Sequence, residues 1–104
     1  MLTRSQVISW IHIVVGISLL IWLKVRASSS LSSSARNTIL IIGASVMAYH
    51  LYLFRSRGSW IYLLHALIVA PIIVYFALSP KNGASVLSLL AIVMVVYHAM
   101  RLFP

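Results

Sequence analysis

The sequence contains no aspartate, no glutamate and no cysteine. Without a carboxylate, the chain by itself cannot form the paired acids of a glycosidase, an Asp-oriented catalytic triad or an EF-hand. Without a thiol, it has no disulfide and no ligand for an iron–sulfur cluster, and cysteine usage says nothing about the redox compartment. It also lacks a phosphate-cradling glycine loop and a nucleophile–base–orienter set. We therefore expect no enzyme, or at most an electron carrier.

Charge is scarce and of one sign. Only 8% of the 104 residues are charged, all of them Lys or Arg, whereas 62% are hydrophobic. A soluble domain carries about 25% charged residues, so this composition indicates a membrane protein. The basic residues lie at the ends of apolar runs rather than in one patch. This placement predicts contact with the lipid bilayer and its anionic headgroups, and not with nucleic acid.

Four apolar segments are long enough to cross a bilayer, since a spanning helix needs about 20 residues. We place these spans at about 5–23, 38–54, 59–78 and 84–103, with a flexible Ser-rich loop at 24–37. The predicted fold is all-α: a single transmembrane domain whose four helices form an antiparallel up-down-up-down bundle. The predicted localisation is integral and multi-pass in a membrane.

Local sequence signals predict where these spans begin, end or bend. Asn37 is the predicted N-cap of the second span, residues 79–83 form a predicted tight turn, and Pro71 predicts a kink in the third span. The first segment has an alternative as a cleaved signal peptide, although Lys24 and Arg26 crowd the cleavage site. The basic residues fall four on each side of the membrane, so they do not set an orientation.

The second half of the sequence repeats features of the first. A Tyr-His pair, preceded by Val-Met, closes both the second and the fourth span, at Tyr49-His50 and Tyr97-His98. Ser-Trp-Ile opens both the first and the third span, at residues 9–11 and 59–61. The order of these elements predicts a duplicated two-helix hairpin.

Each predicted span contains one histidine: His12, His50, His65 and His98. At a rise of 1.5 Å per residue, an up-down-up-down arrangement places all four in one layer within about one helical turn. Small residues mark helix faces that approach a neighbour closely. Gly16, Gly43 and Ala91 indicate interior faces for three of the histidines, but the surroundings of His65 give no such signal.

Four interpretations of this layer stay open. The first is bis-His haem b: two of the imidazoles serve as axial ligands, and Gly16 and Gly43 admit the macrocycle. Its propionates then pair with basic residues at the span ends, with Arg55, Arg57 and Arg101 as candidates. The second is a transition metal bound by all four histidines, which neutral imidazoles suit.

The other two interpretations need no cofactor. Histidine titrates near neutral pH, so the layer could conduct protons, although the far half of the bundle offers few polar groups for a continuous path. Alternatively, the histidines only bond helices together in a non-catalytic structural membrane component. Association of several copies is compatible with every interpretation.

The pattern "His, apolar, Pro, apolar, Tyr" at residues 65–75, followed by Tyr97-His98-Ala99-Met100-Arg101, resembles short uncharacterised multi-pass membrane proteins of large eukaryotic DNA viruses. The second half of the chain carries the resemblance, and the first half matches as a degenerate copy. The resemblance implies a viral membrane, such as that of the virion, or a membrane of a virus-infected cell as the setting, and it implies no activity and no site residues.

Overall fold

The computed structural model describes residues 1–26 and 30–103 and folds them almost entirely into helix. Four long helices follow one another along the chain: α1 (Arg4–Val25), α2 (Ser33–Arg57), α3 (Trp60–Leu78) and α4 (Pro80–Leu102). Each is long and apolar enough to cross a membrane, and many of their large apolar side chains are exposed. Such exposure suits helices surrounded by lipid, which is as apolar as leucine. The predicted all-α fold and multi-pass membrane localisation are confirmed.

The connection between α1 and α2 is shorter than the predicted Ser-rich loop. α1 continues to Val25, and α2 begins at Ser33 behind the N-cap Ser32, whose Oγ accepts a hydrogen bond from the Ala35 amide. The prediction of Asn37 as N-cap is therefore wrong, because an earlier serine caps the helix equally well and the residues between them are compatible with helix. Residues 27–29 of the predicted loop lie outside the described residues.

The connection between α3 and α4 is also shorter than predicted. Residues 79–83 do not form a five-residue turn, because Pro80 is the first residue of α4 and only Ser79 separates the two helices. Proline suits the first helical position, where its missing N–H costs no hydrogen bond. The tight connection brings α4 onto α3: a Cβ built on Gly83 would lie 2.6 Å from the Cα of Phe76.

The irregularity predicted at Pro71 takes the form of a π-helical segment. α3 is α-helical over Trp60–Leu64, π-helical over His65–Val69 and α-helical again over Ala70–Leu78. The Ala70 amide donates to the carbonyl of His65, five residues earlier. Local π geometry is a common way for a membrane helix to accommodate the proline that comes next.

The helices form two compact units. In the first, α1 packs antiparallel against the part of α4 from Ser88 onward, since His12 contacts His98 while the later Gly16 lies beside the earlier Val95. In the second, α2 packs antiparallel against α3, accompanied by the beginning of α4. Each unit therefore contains one of the antiparallel helix pairs of the predicted fold.

Candidate functional site: two stacked histidine pairs

The four histidines meet in pairs, one pair within each unit. His12 of α1 stacks on His98 of α4, with ring centroids 4.3 Å apart and planes 24° from parallel. His50 of α2 stacks on His65 of α3, with centroids 4.6 Å apart and planes 9° from parallel. We call these the outer pair (His12 and His98, on the first and last helices) and the inner pair (His50 and His65).

Three of the rings are held by their own helix through Nδ1. In each case Nδ1 lies within hydrogen-bonding distance of the carbonyl oxygen four residues earlier: 2.7 Å for His12 and Ile8, 2.7 Å for His50 and Val46, and 2.6 Å for His65 and Ile61. Because a carbonyl oxygen only accepts, Nδ1 must carry the proton. The neutral ring then has its lone pair on Nε2, the atom through which a metal or haem would be bound.

The fourth ring is held from the neighbouring helix. Nδ1 of His98 lies 3.1 Å from Oγ of Ser9 on α1, and both side chains are buried. Sequence reasoning missed Ser9 as a site residue. A signal was present, because Ser9 precedes His12 by three residues and positions three apart share a helix face. Tyr62 occupies the corresponding position before His65, and its ring centroid lies 6.4 Å from that of His50.

Aromatic contacts repeat around the two pairs. Tyr97 stands edge-on to His98 at 5.1 Å, and Tyr49 stands edge-on to His50 at 5.4 Å. A tryptophan near the start of one helix also meets a phenylalanine near the end of its partner, at 6.3 Å for Trp10 with Phe103 and for Trp60 with Phe54. These parallels support the predicted duplication, in which α1 with α2 is one half and α3 with α4 is the other. Each histidine pair then joins the first helix of one half to the second helix of the other half.

Small residues lie where the helices of each pair approach most closely. A Cβ built on Gly16 would lie 3.4 Å from the carbonyl oxygen of Ala91, and one built on Gly43 would lie 3.6 Å from that of Ala70. Ala91 and Ala70 are themselves buried. The predicted interior faces of the helices bearing His12, His50 and His98 are thus brought together with a small-residue contact in each unit.

The π-helical segment explains why His65 showed no small residue on its predicted face. Gly16 follows His12 by four residues, which is the spacing of an α-helical face. Ala70 follows His65 by five residues, and the wider π turn between them keeps both on the side that meets α2. A search at regular α-helical spacing therefore passes over Ala70.

The space beside the two glycines is occupied by the partner helix. A Cβ on Gly16 would lie 2.6 Å from Cγ2 of Val95, and one on Gly43 would lie 2.8 Å from Cγ2 of Val74. In this structure the two glycines make room for valine side chains. Their predicted role in admitting a macrocycle would require those valines to move.

Two of the three candidate arginines bridge a helix pair. Nη2 of Arg101 on α4 donates to Oγ of Ser5 on α1 at 2.9 Å, and Nη1 of Arg57 at the end of α2 donates to the hydroxyl of Tyr62 on α3 at 3.3 Å. Arg55 is exposed near the end of α2. Arg57 and Arg101 therefore link the helices that carry the inner and the outer pair, respectively.

Within residues 1–26 and 30–103, no three or more His, Cys, Asp or Glu side chains are grouped so as to hold a metal ion. The transition-metal site of four histidines and the haem site both stay predictions. What the structure assembles is a pair of stacked imidazoles in each unit, with Nδ1 oriented by the protein.

No protein-family model matches the chain, and no curated protein and no solved structure is significantly similar to it.

Proposed function

We propose that the protein is a non-catalytic structural component of a membrane, in which the histidine pairs fasten one helix to another. The observation that carries this proposal is the engagement of every imidazole inside the protein: each ring stacks on a second ring, and each Nδ1 has an oxygen partner. Close packing and hydrogen bonds between helices are the forces that associate helices in lipid, where burial of apolar surface contributes little. The stacked rings and the contact of His98 with Ser9 cross between helices, whereas the other three Nδ1 hydrogen bonds stay within one helix and orient its ring for stacking.

The small-residue contacts support the same function. Gly16 against Ala91 and Gly43 against Ala70 let the helix backbones approach, and valine side chains fill the remaining space. Polar side chains in the interior of such proteins, histidine among them, hydrogen-bond across helices and so contribute to helix association. The homo-oligomeric state and the viral setting implied by the resemblance stay predictions beside this proposal.

Replacing a histidine by phenylalanine or by alanine tests the structural function. His50→Phe keeps a ring that can stack on His65, whereas His50→Ala removes the ring and its packing. We expect the melting temperature in neutral detergent, followed by circular dichroism, to fall clearly more for the alanine variant. The same order is expected at His12. If both alanine variants have the same melting temperature as the wild type, the histidine pairs do not hold the helices together and the proposal is wrong.

Haem b is the second candidate, and one observation favours it. The Nδ1 hydrogen bonds to carbonyls that orient His12, His50 and His65 are the kind that orient metal-ligating imidazoles and fix their tautomer. However, an iron about 2 Å from each coordinating nitrogen would hold two opposed ring centroids roughly 6 Å apart. The stacked rings of one pair would therefore have to separate and rotate before they could bind iron between them.

Absorbance spectroscopy separates the two candidates. Haemin is titrated into the purified protein in detergent, and the Soret region is recorded for the wild type and for His12→Phe and His50→Phe. A wild-type Soret band that is lost in one variant would establish haem binding and overturn the purely structural proposal. Proton flux into liposomes that disappears when all four histidines are replaced would overturn it in favour of conduction.

A further inference from the structure

Each helix pair carries an arginine–hydroxyl bridge, which we define as Arg101 with Ser5 in the first unit and Arg57 with Tyr62 in the second. Both arginines lie near the carboxyl end of a long apolar helix, and both donate across the pair to a hydroxyl oxygen. Neither bridge includes a histidine, so a role for the bridges is separate from the proposed fastening of helices by the histidine pairs.

The charge of these guanidinium groups has no neutralising side chain within the protein, because the sequence contains no aspartate or glutamate. A guanidinium has five N–H donors in a planar fork that matches the oxygens of a phosphate. Each bridge uses one of these donors. Both arginine side chains are exposed, so a ligand outside the protein can reach them.

The hydroxyl groups add a donor of their own. Ser5 Oγ and Tyr62 Oη each accept a hydrogen bond from the arginine, which leaves the hydroxyl proton to be directed at another acceptor. The arginine fork and the hydroxyl proton can therefore converge on one anion. Charge-assisted hydrogen bonds of this type are stronger than neutral ones.

The surroundings indicate where that anion comes from. Trp10 packs against Phe103 near the first bridge, and Trp60 packs against Phe54 near the second. Tryptophans at the ends of membrane spans lie at the level of the lipid headgroups. The bridges are then at the depth of lipid phosphate, in a chain whose formal charge is +8.

The geometry points to two specific binding sites for anionic phospholipid, in which the headgroup phosphodiester is held by Arg101 with Ser5 and by Arg57 with Tyr62. Each site takes one lipid, with the acyl chains lying along the exposed apolar faces of the helices. No bond is made or broken. The negative lipid supplies the charge that the chain itself lacks at these positions.

Native mass spectrometry of the protein released from neutral detergent tests the assignment with three probes: phosphatidylglycerol, phosphatidylcholine and inorganic phosphate. For the wild type we expect up to two retained phosphatidylglycerol molecules and weaker retention of phosphatidylcholine. Tyr62→Phe and Ser5→Ala keep every charge and remove one hydroxyl each. A lost hydrogen bond to a charged group corresponds to about a tenfold weaker affinity, and each variant should lose that at one site.

A charge-matched control separates a built site from general attraction. Arg57→Gln with Arg101→Gln removes two positive charges at the bridges, and Arg36→Gln with Lys81→Gln removes two elsewhere. We expect only the first pair of substitutions to abolish specific retention, with helicity of both variants checked by circular dichroism. Any of three results would overturn the assignment to a lipid site. They are equal loss of phosphatidylglycerol in the two charge variants, full retention of phosphatidylglycerol in both hydroxyl variants, and binding of inorganic phosphate as strong as that of phosphatidylglycerol.

Discussion

Ser9 and His98 lie 89 residues apart in the sequence, and their side chains meet at 3.1 Å between Oγ and Nδ1. Both are buried, with exposed fractions of 1% and 5%. His98 is thus oriented from α1, whereas the other three histidines are oriented by a carbonyl of their own helix. This difference makes the outer pair dependent on the contact between the first and the last helix.

The first prediction concerns that contact. Ser9→Ala removes the oxygen that faces the buried Nδ1 of His98, and with it this hydrogen bond between α1 and α4. We expect the free energy of unfolding in detergent to fall by about 1 kcal/mol, the size typical of one interhelical hydrogen bond in a membrane protein. Ser85→Ala serves as the control because Ser85 is exposed and its hydroxyl donates within its own helix. A Ser9→Ala variant as stable as this control would contradict the prediction.

The second prediction compares two glycines with different neighbours. A Cβ on Gly83 would meet backbone atoms of Phe76, at 2.6 Å from Cα and 2.9 Å from N, whereas a Cβ on Gly16 would meet mainly the Val95 side chain. Gly83→Ala should therefore require α3 and α4 to shift apart, and no side-chain truncation can relieve it. Thermal unfolding should show that Val95→Ala partly rescues Gly16→Ala. Gly83→Ala should remain destabilised when combined with the same substitution.

How far the sequence predicts this fold can be judged from its histidines. The number of helices, their apolar surfaces and the interior faces of the helices bearing His12, His50 and His98 can be derived from composition and from α-helical periodicity. Which helices pair with each other cannot be derived in this way, because periodicity assigns an interior face to each helix and says nothing about which neighbouring helix that face meets. Four histidines at a similar depth predict one layer, which stays a prediction. The structure adds which rings touch within each unit, namely His12 with His98 and His50 with His65.

The helix ends and the residues around the site show the same limit. Ser32 and Asn37 are both good N-caps, and only the fold decides that Ser32 is used. Tyr62 and Ser5 look like ordinary interfacial residues until the partner helix brings Arg57 and Arg101 to them. Ala70 is hidden by the π turn, since its spacing from His65 does not match a regular α-helix.

The third prediction tests the pairing of α1 with α4. The chain has no cysteine, so two introduced cysteines report on a single contact. Gly16→Cys combined with Val95→Cys should form a disulfide on mild oxidation in the membrane, because the Cβ position of residue 16 lies 2.6 Å from an atom of the Val95 side chain. Ile17→Cys with Val95→Cys is the control, since Ile17 points outward with 47% exposure. Cross-linking is read as a mobility shift on non-reducing gels, and equal yields in both variants would contradict the pairing.

The fourth prediction concerns the π-helical segment. α3 has one more residue between His65 and Ala70 than α1 has between His12 and Gly16, and both spacings end in a small-residue contact. Deleting Leu67, which is 61% exposed, should convert the segment to regular α-helix while His65 and Ala70 keep facing α2. We expect the deletion to change the free energy of unfolding by no more than about 1 kcal/mol, because the contacts with α2 are kept. The melting temperature should then change by only a few degrees, since 1 kcal/mol moves the midpoint of a domain this size by about 4–8 °C.

A deletion in a regular helix provides the contrast. Ser45 lies on α2 between Gly43 and His50, and it is exposed. Removing it rotates one of these two residues away from α3, because an α-helix turns by about 100° per residue. The Ser45 deletion should therefore lower the melting temperature much more than the Leu67 deletion, although both shorten a span by one residue. If the Leu67 deletion lowers the melting temperature as much as the Ser45 deletion does, the π turn is not simply one extra residue that the helix accommodates. The correspondence of Ala70 in the second half with Gly16 in the first half is then wrong.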